Sequence, residues 1–114
     1  MKISYRLWIE KDGMPVFGRG VQILLELVEK TGSLHKAAEA LEMSYRAAWG
    51  RIREYEKRLD ITLIEKGRQG RTGAKLTSEG RRLMGDFAVL ESRFDKLVNL
   101  PEFKGMFRPA PKNK

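Results

Sequence analysis

Two helical patterns, separated by only three residues, constrain the fold of this chain more than any other feature. Leu34 to Leu41 carries a narrow stripe of small and apolar side chains, and Tyr45 to Leu59 continues with helical periodicity. Each pattern is preceded by a serine, Ser33 or Ser44, whose hydroxyl can cap the amino end of a helix. Because Glu42-Met43 leaves little room between them, we predict two helices that pack closely across a tight turn.

A basic ribbon is predicted directly after the second of these helices. Leu63 to Lys66 and Ala74 to Leu76 have the length and composition of short strands, and the segment between them is rich in glycine. A helix-turn-helix followed by a two-stranded wing is the order of a winged helix-turn-helix, a mainly α fold. The alternative interpretation of the ribbon is an ordinary solvated hairpin. We favour contact with DNA and predict it for the basic side chains Lys66, Arg68, Arg71 and Lys75.

The segment before the helix-turn-helix predicts an amino-terminal β-hairpin and one more helix. Apolar and polar side chains alternate from Ile3 to Glu10, with Tyr5 on the apolar face, which is the pattern of a half-buried strand. Asp12-Gly13 favours a tight turn, and Pro15 to Phe17 is the predicted return strand. A helical pattern then runs from Val21 to Lys30, and a glycine follows at the position of a left-handed cap.

The last helix, predicted from Ser78 to about Asn99, carries the pattern of a dimer seam. Its apolar side chains are spaced by four, three, four and three residues, as in a coiled coil. We therefore predict a homodimer held by this long C-terminal helix, through Phe87, Leu90, Phe94 and Leu97. Residues 1–100 are predicted to form one domain, with the dimerisation helix at 78–99. The basic, proline-containing tail at 101–114 is predicted to be extended or flexible.

The helix from Tyr45 to Leu59 is predicted to have a buried face and an open face. Ala47 is expected to turn toward the preceding helix. At 100° per residue, the core side holds Ala48, Ile52, Tyr55 and Leu59, and the open side holds Arg46, Trp49, Gly50 and Arg53. Arginine suits an open face that meets DNA, because its guanidinium can contact a guanine edge or a phosphate with two nitrogens at once.

Two further features of this helix pair bear on DNA contact. A glycine inside a helix lowers stability by about 1 kcal/mol relative to alanine. Its presence at position 50 therefore predicts that DNA or another protein element approaches the helix backbone closely there. Ser33, Ser44 and Tyr45 lie at the amino ends of the two helices, where the helix dipole attracts phosphate. Plain capping is the alternative explanation for both serines, and capping is compatible with phosphate contact.

The charge balance favours a polyanionic partner. The 114 residues include 23 basic and 15 acidic side chains, for a net charge of +8. The absence of cysteine and the single histidine, His35, argue against a metal cluster or a catalytic triad, so we expect no enzyme and no cofactor. His35 is expected near the surface or a helix cap, and Glu54 and Glu56 are expected to be solvated or ion-paired. No membrane-length apolar run or secretory signal is visible, which favours the cytoplasm.

The stretch from Lys30 to Trp49 resembles the helix-turn-helix of the ModE family of molybdate-responsive transcription regulators, most specifically in Met43-Ser-Tyr-Arg-Ala-Ala-Trp49. The segments around Arg6 to Glu10 and from Ala74 to Arg82 fit the same family. The wider LysR-type pattern is matched by Ser44, Ala47, Ile52, Leu59 and Leu63. The resemblance covers most of residues 3–98. It implies a dimer that binds operator DNA through the major groove, with Ser44, Tyr45 and Arg46 near the DNA.

We therefore predict a ModE-like regulator of transcription that binds double-stranded DNA with sequence specificity. Full-length members of that family carry oxyanion-binding domains, whereas about sixteen residues follow the last predicted helix here, so we expect no molybdate site. The alternative function is a winged-helix module for protein–protein interaction, or an accessory subunit with no DNA specificity of its own.

Overall fold

Four α-helices and two antiparallel hairpins make up the parts of the chain that the structure describes. The computed structural model describes residues 1–67 and 73–111. The elements are β1 (Trp8–Lys11), β2 (Met14–Gly18), α1 (Arg19–Thr31), α2 (Leu34–Ala40), α3 (Tyr45–Leu59), β3 (Ile64–Lys66), β4 (Ala74–Leu76), α4 (Ser78–Val98) and a 3-10 turn (Pro101–Phe103). β1 pairs with β2 and β3 pairs with β4, each antiparallel. This arrangement is a winged helix-turn-helix in which β3 and β4 form the wing, as the sequence predicts.

The hydrophobic core is built around α1, whose apolar side chains contact every layer of the domain. Val21, Leu24 and Leu25 are fully buried, and they pack with the small residues of α2 and with Ala48 and Ile52 of α3. Further core residues come from β2, the wing and the inner half of α4, among them Phe17, Leu63, Ile64, Leu76 and Phe87. Burial of these side chains stabilises the domain and fixes α3 against α1.

Two serine caps and a tight turn set the relation between α2 and α3. Ser33 Oγ accepts a hydrogen bond from the backbone N–H of Lys36 at 3.1 Å, and Ser44 Oγ accepts one from the N–H of Ala47 at 3.0 Å. The turn between the helices passes through Glu42 in a left-handed conformation, with φ 54°. Both predicted caps are confirmed, and α3 has the bounds that the sequence predicts.

The wing is anchored to the helices through hydrogen bonds to backbone groups at and beside Leu63. Glu56 Oε2 accepts hydrogen bonds from the N–H groups of Leu63 at 2.7 Å and Ile64 at 3.3 Å. On the return side, the N–H of Thr77 donates to the carbonyl of Leu63 at 2.9 Å, and Thr77 Oγ1 caps α4 by accepting from the N–H of Gly80. The expectation that Glu56 is solvated or ion-paired is therefore wrong, because its carboxylate holds the entry to the wing.

The amino-terminal strand is shorter than predicted. Pairing runs from Trp8 opposite Gly18 to Lys11 opposite Met14, so the predicted strand from Ile3 to Glu10 is wrong over its first half. The partner strand ends where the chain turns into α1, and residues before Trp8 have no strand to pair with. Tyr5 lies instead on α4, where its hydroxyl donates to Asp95 Oδ1 at 3.1 Å. Desolvation, with the neighbouring Asp95 carboxylate, raises the pKa of the Tyr5 phenol.

On α4, the position of Phe87 differs from the prediction. It was predicted to lie in the dimer seam, but it is 3% exposed and its ring lies 5.2 Å from the ring of Phe17. Phe87 packs into the core beside Phe17 of β2. The apolar side chains of α4 up to Phe87 therefore pack toward the chain's own core. Any dimer seam must lie on the C-terminal side of Phe87.

Two smaller expectations also differ from the structure. Ala47, which was expected to turn toward α2, is exposed, whereas Ala48 is buried in the core as predicted. The tail is not fully extended, because Pro101–Phe103 forms a 3-10 turn after α4. The last three residues, 112–114, lie outside the described part of the chain.

Candidate nucleic-acid interface

The outer face of α3 is open and basic. Arg46, Gly50 and Arg53 are all exposed, whereas Ala48 and Ile52 on the opposite side are fully buried. A Cβ atom placed on Gly50 meets no other atom within 4 Å among the described residues. No other element within residues 1–67 and 73–111 therefore explains the glycine, and close approach by DNA or by another protein element stays a prediction.

Trp49 does not project from this face as predicted. Its side chain is half-buried, and its indole Nε1 is buried with no hydrogen-bond partner among the described residues. The guanidinium carbon of Arg53 lies 4.9 Å from the ring centroid of Trp49, and the Nζ atom of Lys66 lies 5.1 Å from it. Both distances are within the range of a cation–π contact. Trp49 thus brings a cation of α3 and a cation of the wing to one aromatic ring.

The amino ends of α2 and α3 are joined by an aromatic stack. The rings of His35 and Tyr45 are parallel within 5°, with their centroids 3.7 Å apart. Tyr45 also meets the ring of Trp49 edge-on, at 6.3 Å. The sequence placed His35 near the surface, and it is exposed, but its stacking on Tyr45 was not anticipated. The signal available was that His35 and Tyr45 open consecutive capped helices.

The two described lysines of the wing lie on different faces of the ribbon. Lys66 pairs with Ala74, and Lys75 pairs with Glu65, and neighbouring pairs along a ribbon point to opposite sides. Lys66 is on the side that faces Trp49, and Lys75 is on the outer side. Of these two described lysines, Lys66 is therefore the one that lies beside α3. Arg68 and Arg71 lie outside the described residues, and their contact with DNA stays a prediction.

Arg46, Arg53 and Lys66 have no carboxylate partners in the described part of the chain, whereas three other arginines of the domain do. Ion pairs are present for Arg19 with Glu26 and Glu91, for Arg58 with Glu54, and for Arg81 with Glu29. The hydrogen bond from Arg81 lowers the pKa of Glu29. Arg46, Arg53 and Lys66 form no such pair within residues 1–67 and 73–111, so their charges face solvent and are available to an anion.

No helix in the described ranges has the length and hydropathy to cross a membrane. The same residues contain no group of three or more histidine, cysteine or acidic side chains placed to hold a metal ion. The outer face of α3 and the neighbouring wing carry cations and aromatic rings, and such cations contact phosphates and base edges in protein–DNA complexes.

Comparison with protein families gives one match, which spans more than half of the chain. The family described as bacterial regulatory helix-turn-helix proteins of the lysR family matches residues 20–81. This range contains all of α1, α2, α3 and the wing except the first residue of α1, and it ends early in α4.

Curated relatives confirm the resemblance that the sequence suggested. The chain is 30% identical over 98 residues to the molybdenum-pterin-binding protein MopA of Rhodobacter capsulatus, covering 84% of this chain and 37% of MopA. It is 34% identical over 79 residues to the molybdenum transport protein ModE of Azotobacter vinelandii, covering 67% of this chain and 29% of ModE. The matched part of the chain therefore spans only about a third of the length of these relatives, 37% of MopA and 29% of ModE.

Solved structures share the fold. A BenM DBD complex with benA site 1 DNA is similar with a TM-score of 0.58 and 25% identity, over 76% of this chain and 94% of that one. A CbnR DBD–DNA complex is similar with a TM-score of 0.54 and 22% identity, over 66% of this chain and 84% of that one.

Proposed function

Because this chain belongs to the lysR family of bacterial regulatory helix-turn-helix proteins, we propose that it binds double-stranded DNA and regulates transcription in the cytoplasm. The observation that carries the proposal is the open face of α3, where Arg46 and Arg53 flank the unobstructed Gly50. The BenM neighbour, which is a complex with DNA, supports it. The proposal covers DNA binding and not molybdenum binding, because the matched segments span 37% of MopA and 29% of ModE.

In the proposed complex α3 lies in the major groove and the wing follows the sugar–phosphate backbone. The outward guanidinium of Arg46, in the first turn of α3, contacts a base edge, and Gly50 lets the helix backbone approach the groove floor. The N–H groups at the amino end of α3 and the ammonium of Lys66 contact phosphates. Phosphate contacts supply salt-sensitive affinity, and the base contacts supply specificity.

Titration of a labelled random duplex at several salt concentrations tests the proposal. We expect affinity to fall about 100-fold between about 50 and 200 mM salt, because each neutralised phosphate releases bound counterions. A module that serves only protein–protein interaction would bind the duplex weakly at every salt concentration, with a flat salt dependence. That result would replace the proposed function with the alternative.

Arg46→Ala is expected to weaken binding to specific duplexes by about tenfold or more, through loss of a base contact. Specific duplexes are obtained by enrichment from a random pool with the wild-type chain. The matched control is Arg93→Ala, which removes the same charge from the exposed side of α4 and should change affinity less than about twofold. Equal losses for Arg46→Ala on enriched and random duplexes would assign Arg46 to phosphate rather than to base contact.

We also propose that two copies of the chain pair through the outer half of α4. Val89 and Leu97 are 58% and 48% exposed on this helix, and Leu90 and Phe94 are half-buried. Phe94 already contacts Tyr5 of the same chain, with ring centroids 5.8 Å apart, so a partner would add to an existing apolar ridge. A symmetric dimer binds two half-sites one or more helical turns apart, which predicts palindromic enriched duplexes.

Leu97→Glu is expected to shift the dimer toward monomer, because it places a charge in the proposed apolar seam. We expect an increase of about tenfold or more in the dimer dissociation constant, measured by sedimentation or light scattering across a concentration series. Phe107→Glu, at a 71% exposed position in the tail, is the control and should leave the mass unchanged. A wild-type chain that is monomeric at micromolar concentration contradicts the proposed seam.

A further inference from the structure

Two cations from distant parts of the sequence share the ring of Trp49. Arg53 follows Trp49 by one helical turn, whereas Lys66 reaches the ring from the end of β3. The guanidinium carbon of Arg53 lies 4.9 Å from the ring centroid, and the Nζ atom of Lys66 lies 5.1 Å from it. The contact joins α3 to the wing at the surface where both elements face outward.

The arrangement brings like charges together without a carboxylate between them. None of the carboxylates described in the chain pairs with Arg53 or Lys66. The electron-rich face of an indole ring attracts cations and can hold both without neutralising either. The positive charge of each group is therefore preserved for an anion outside the protein, while its position is restricted.

The wing reaches this ring because its base is fixed by hydrogen bonds. Glu56 of α3 accepts from the N–H groups of Leu63 and Ile64, at 2.7 and 3.3 Å, directly before β3. Lys66 is two residues further along the strand, on the face that also carries Ile64. The Glu56 contact sets where β3 begins, and Trp49 meets the strand at its far end.

We propose that Trp49 is a positioning residue that holds Arg53 and Lys66 at a fixed separation, so that α3 and the wing present their cations to DNA phosphates together. The proposal rests on the proposed DNA binding and deepens it. Trp49 itself reads no base, because its ring is occupied by the two cations and its Nε1 is buried. Orienting both cations before binding reduces the conformational entropy lost on association.

The geometry is tested first in the free protein, by nuclear magnetic resonance. The ring current of Trp49 should shift the side-chain methylene protons of Lys66 and Arg53 upfield from their usual positions. Trp49→Leu should remove both shifts, and Trp49→Phe should keep them in part. Unshifted protons in the wild-type chain overturn the proposal whatever the DNA results are.

The role in binding is tested with a double-mutant cycle on a random duplex. We expect Trp49→Leu to weaken binding about fivefold, because Arg53 and Lys66 would no longer be oriented before they meet the DNA. Lys66→Ala should have a clear effect in the wild-type background and a much smaller one beside Trp49→Leu. Lys75→Ala, on the other face of the ribbon, is the matched control and should have the same effect in both backgrounds.

The outcomes separate this proposal from the function on which it rests. Additive effects of Trp49→Leu and Lys66→Ala remove the positioning role and leave DNA binding in place. A wild-type chain that binds no duplex removes both. If Trp49→Leu fails to fold in a thermal unfolding scan, Trp49→Phe replaces it in the cycle, with a proportionally smaller coupling to Lys66 and none to Lys75.

Discussion

Replacing Gly80 with alanine should lower the free energy of unfolding by about 2 kcal/mol, because the first turn of α4 has no room for a methyl group. A Cβ atom at Gly80 collides with the carbonyl oxygen of Leu63 and lies 3.2 Å from the Cα atom of the same residue. These are backbone atoms, and the carbonyl also accepts a hydrogen bond from the N–H of Thr77 at 2.9 Å. The strand cannot move aside without losing that bond, so α4 must shift away from the wing.

Gly85, five residues further along α4, is the matched control for this substitution. A Cβ atom there meets nothing within 4 Å among the described residues. Gly85→Ala should therefore raise the free energy of unfolding by up to about 1 kcal/mol, as expected for alanine in place of glycine inside a helix. Denaturant unfolding of both variants at one pH measures the difference. Similar stabilities for the two variants would show that the contact between Gly80 and Leu63 adapts at little cost.

The part of the fold that sequence predicts best is the part whose signals are local. The bounds of α3 follow from Ser44, which caps its amino end, and from apolar residues at helical spacing. Its carboxyl end falls at Asp60, which adopts a left-handed conformation with φ 57°. Each of these signals lies within the helix or next to it, so no knowledge of distant residues was needed.

Predictions that depended on a partner elsewhere in the chain were less successful. Alternation from Ile3 to Glu10 correctly indicated extended backbone near Trp8, but the length of a strand is set by the strand beside it. Phe87 fits the coiled-coil spacing as well as Leu90 does, and only the space left by Phe17 and α1 assigns it to the core. Periodicity gives the face of a helix and does not identify what covers that face.

The same distinction between local signals and contacts with other elements applies to the candidate site. The exposure of Arg46, Gly50 and Arg53 was predicted from helical angle alone and is confirmed. Trp49 was assigned to the open face on the same argument, but its side chain is half-buried against the core and also contacts Lys66 of the wing. A contact between residues so far apart in sequence has no periodic signature, and it appears only once the wing is in place.

Gly50→Leu is expected to weaken binding to enriched duplexes about 100-fold while raising stability slightly. The leucine side chain would project from the open face of α3 into the space that the proposed complex gives to DNA. Keeping α3 out of the major groove would remove several base contacts, each worth about 1–3 kcal/mol. In the free protein a Cβ atom at Gly50 meets nothing within 4 Å, and leucine favours a helix more than glycine does, by up to about 1 kcal/mol.

The opposite signs of these two effects are what make Gly50 informative. A substitution that damages the fold lowers stability and binding together, whereas Gly50→Leu should lower binding alone, measured by denaturant unfolding and duplex titration on the same preparation. Gly50→Ala adds a smaller group and should fall between wild type and Gly50→Leu in affinity. Wild-type affinity in Gly50→Leu would mean that DNA does not approach this face of α3, and the arginines beside it would then need another partner.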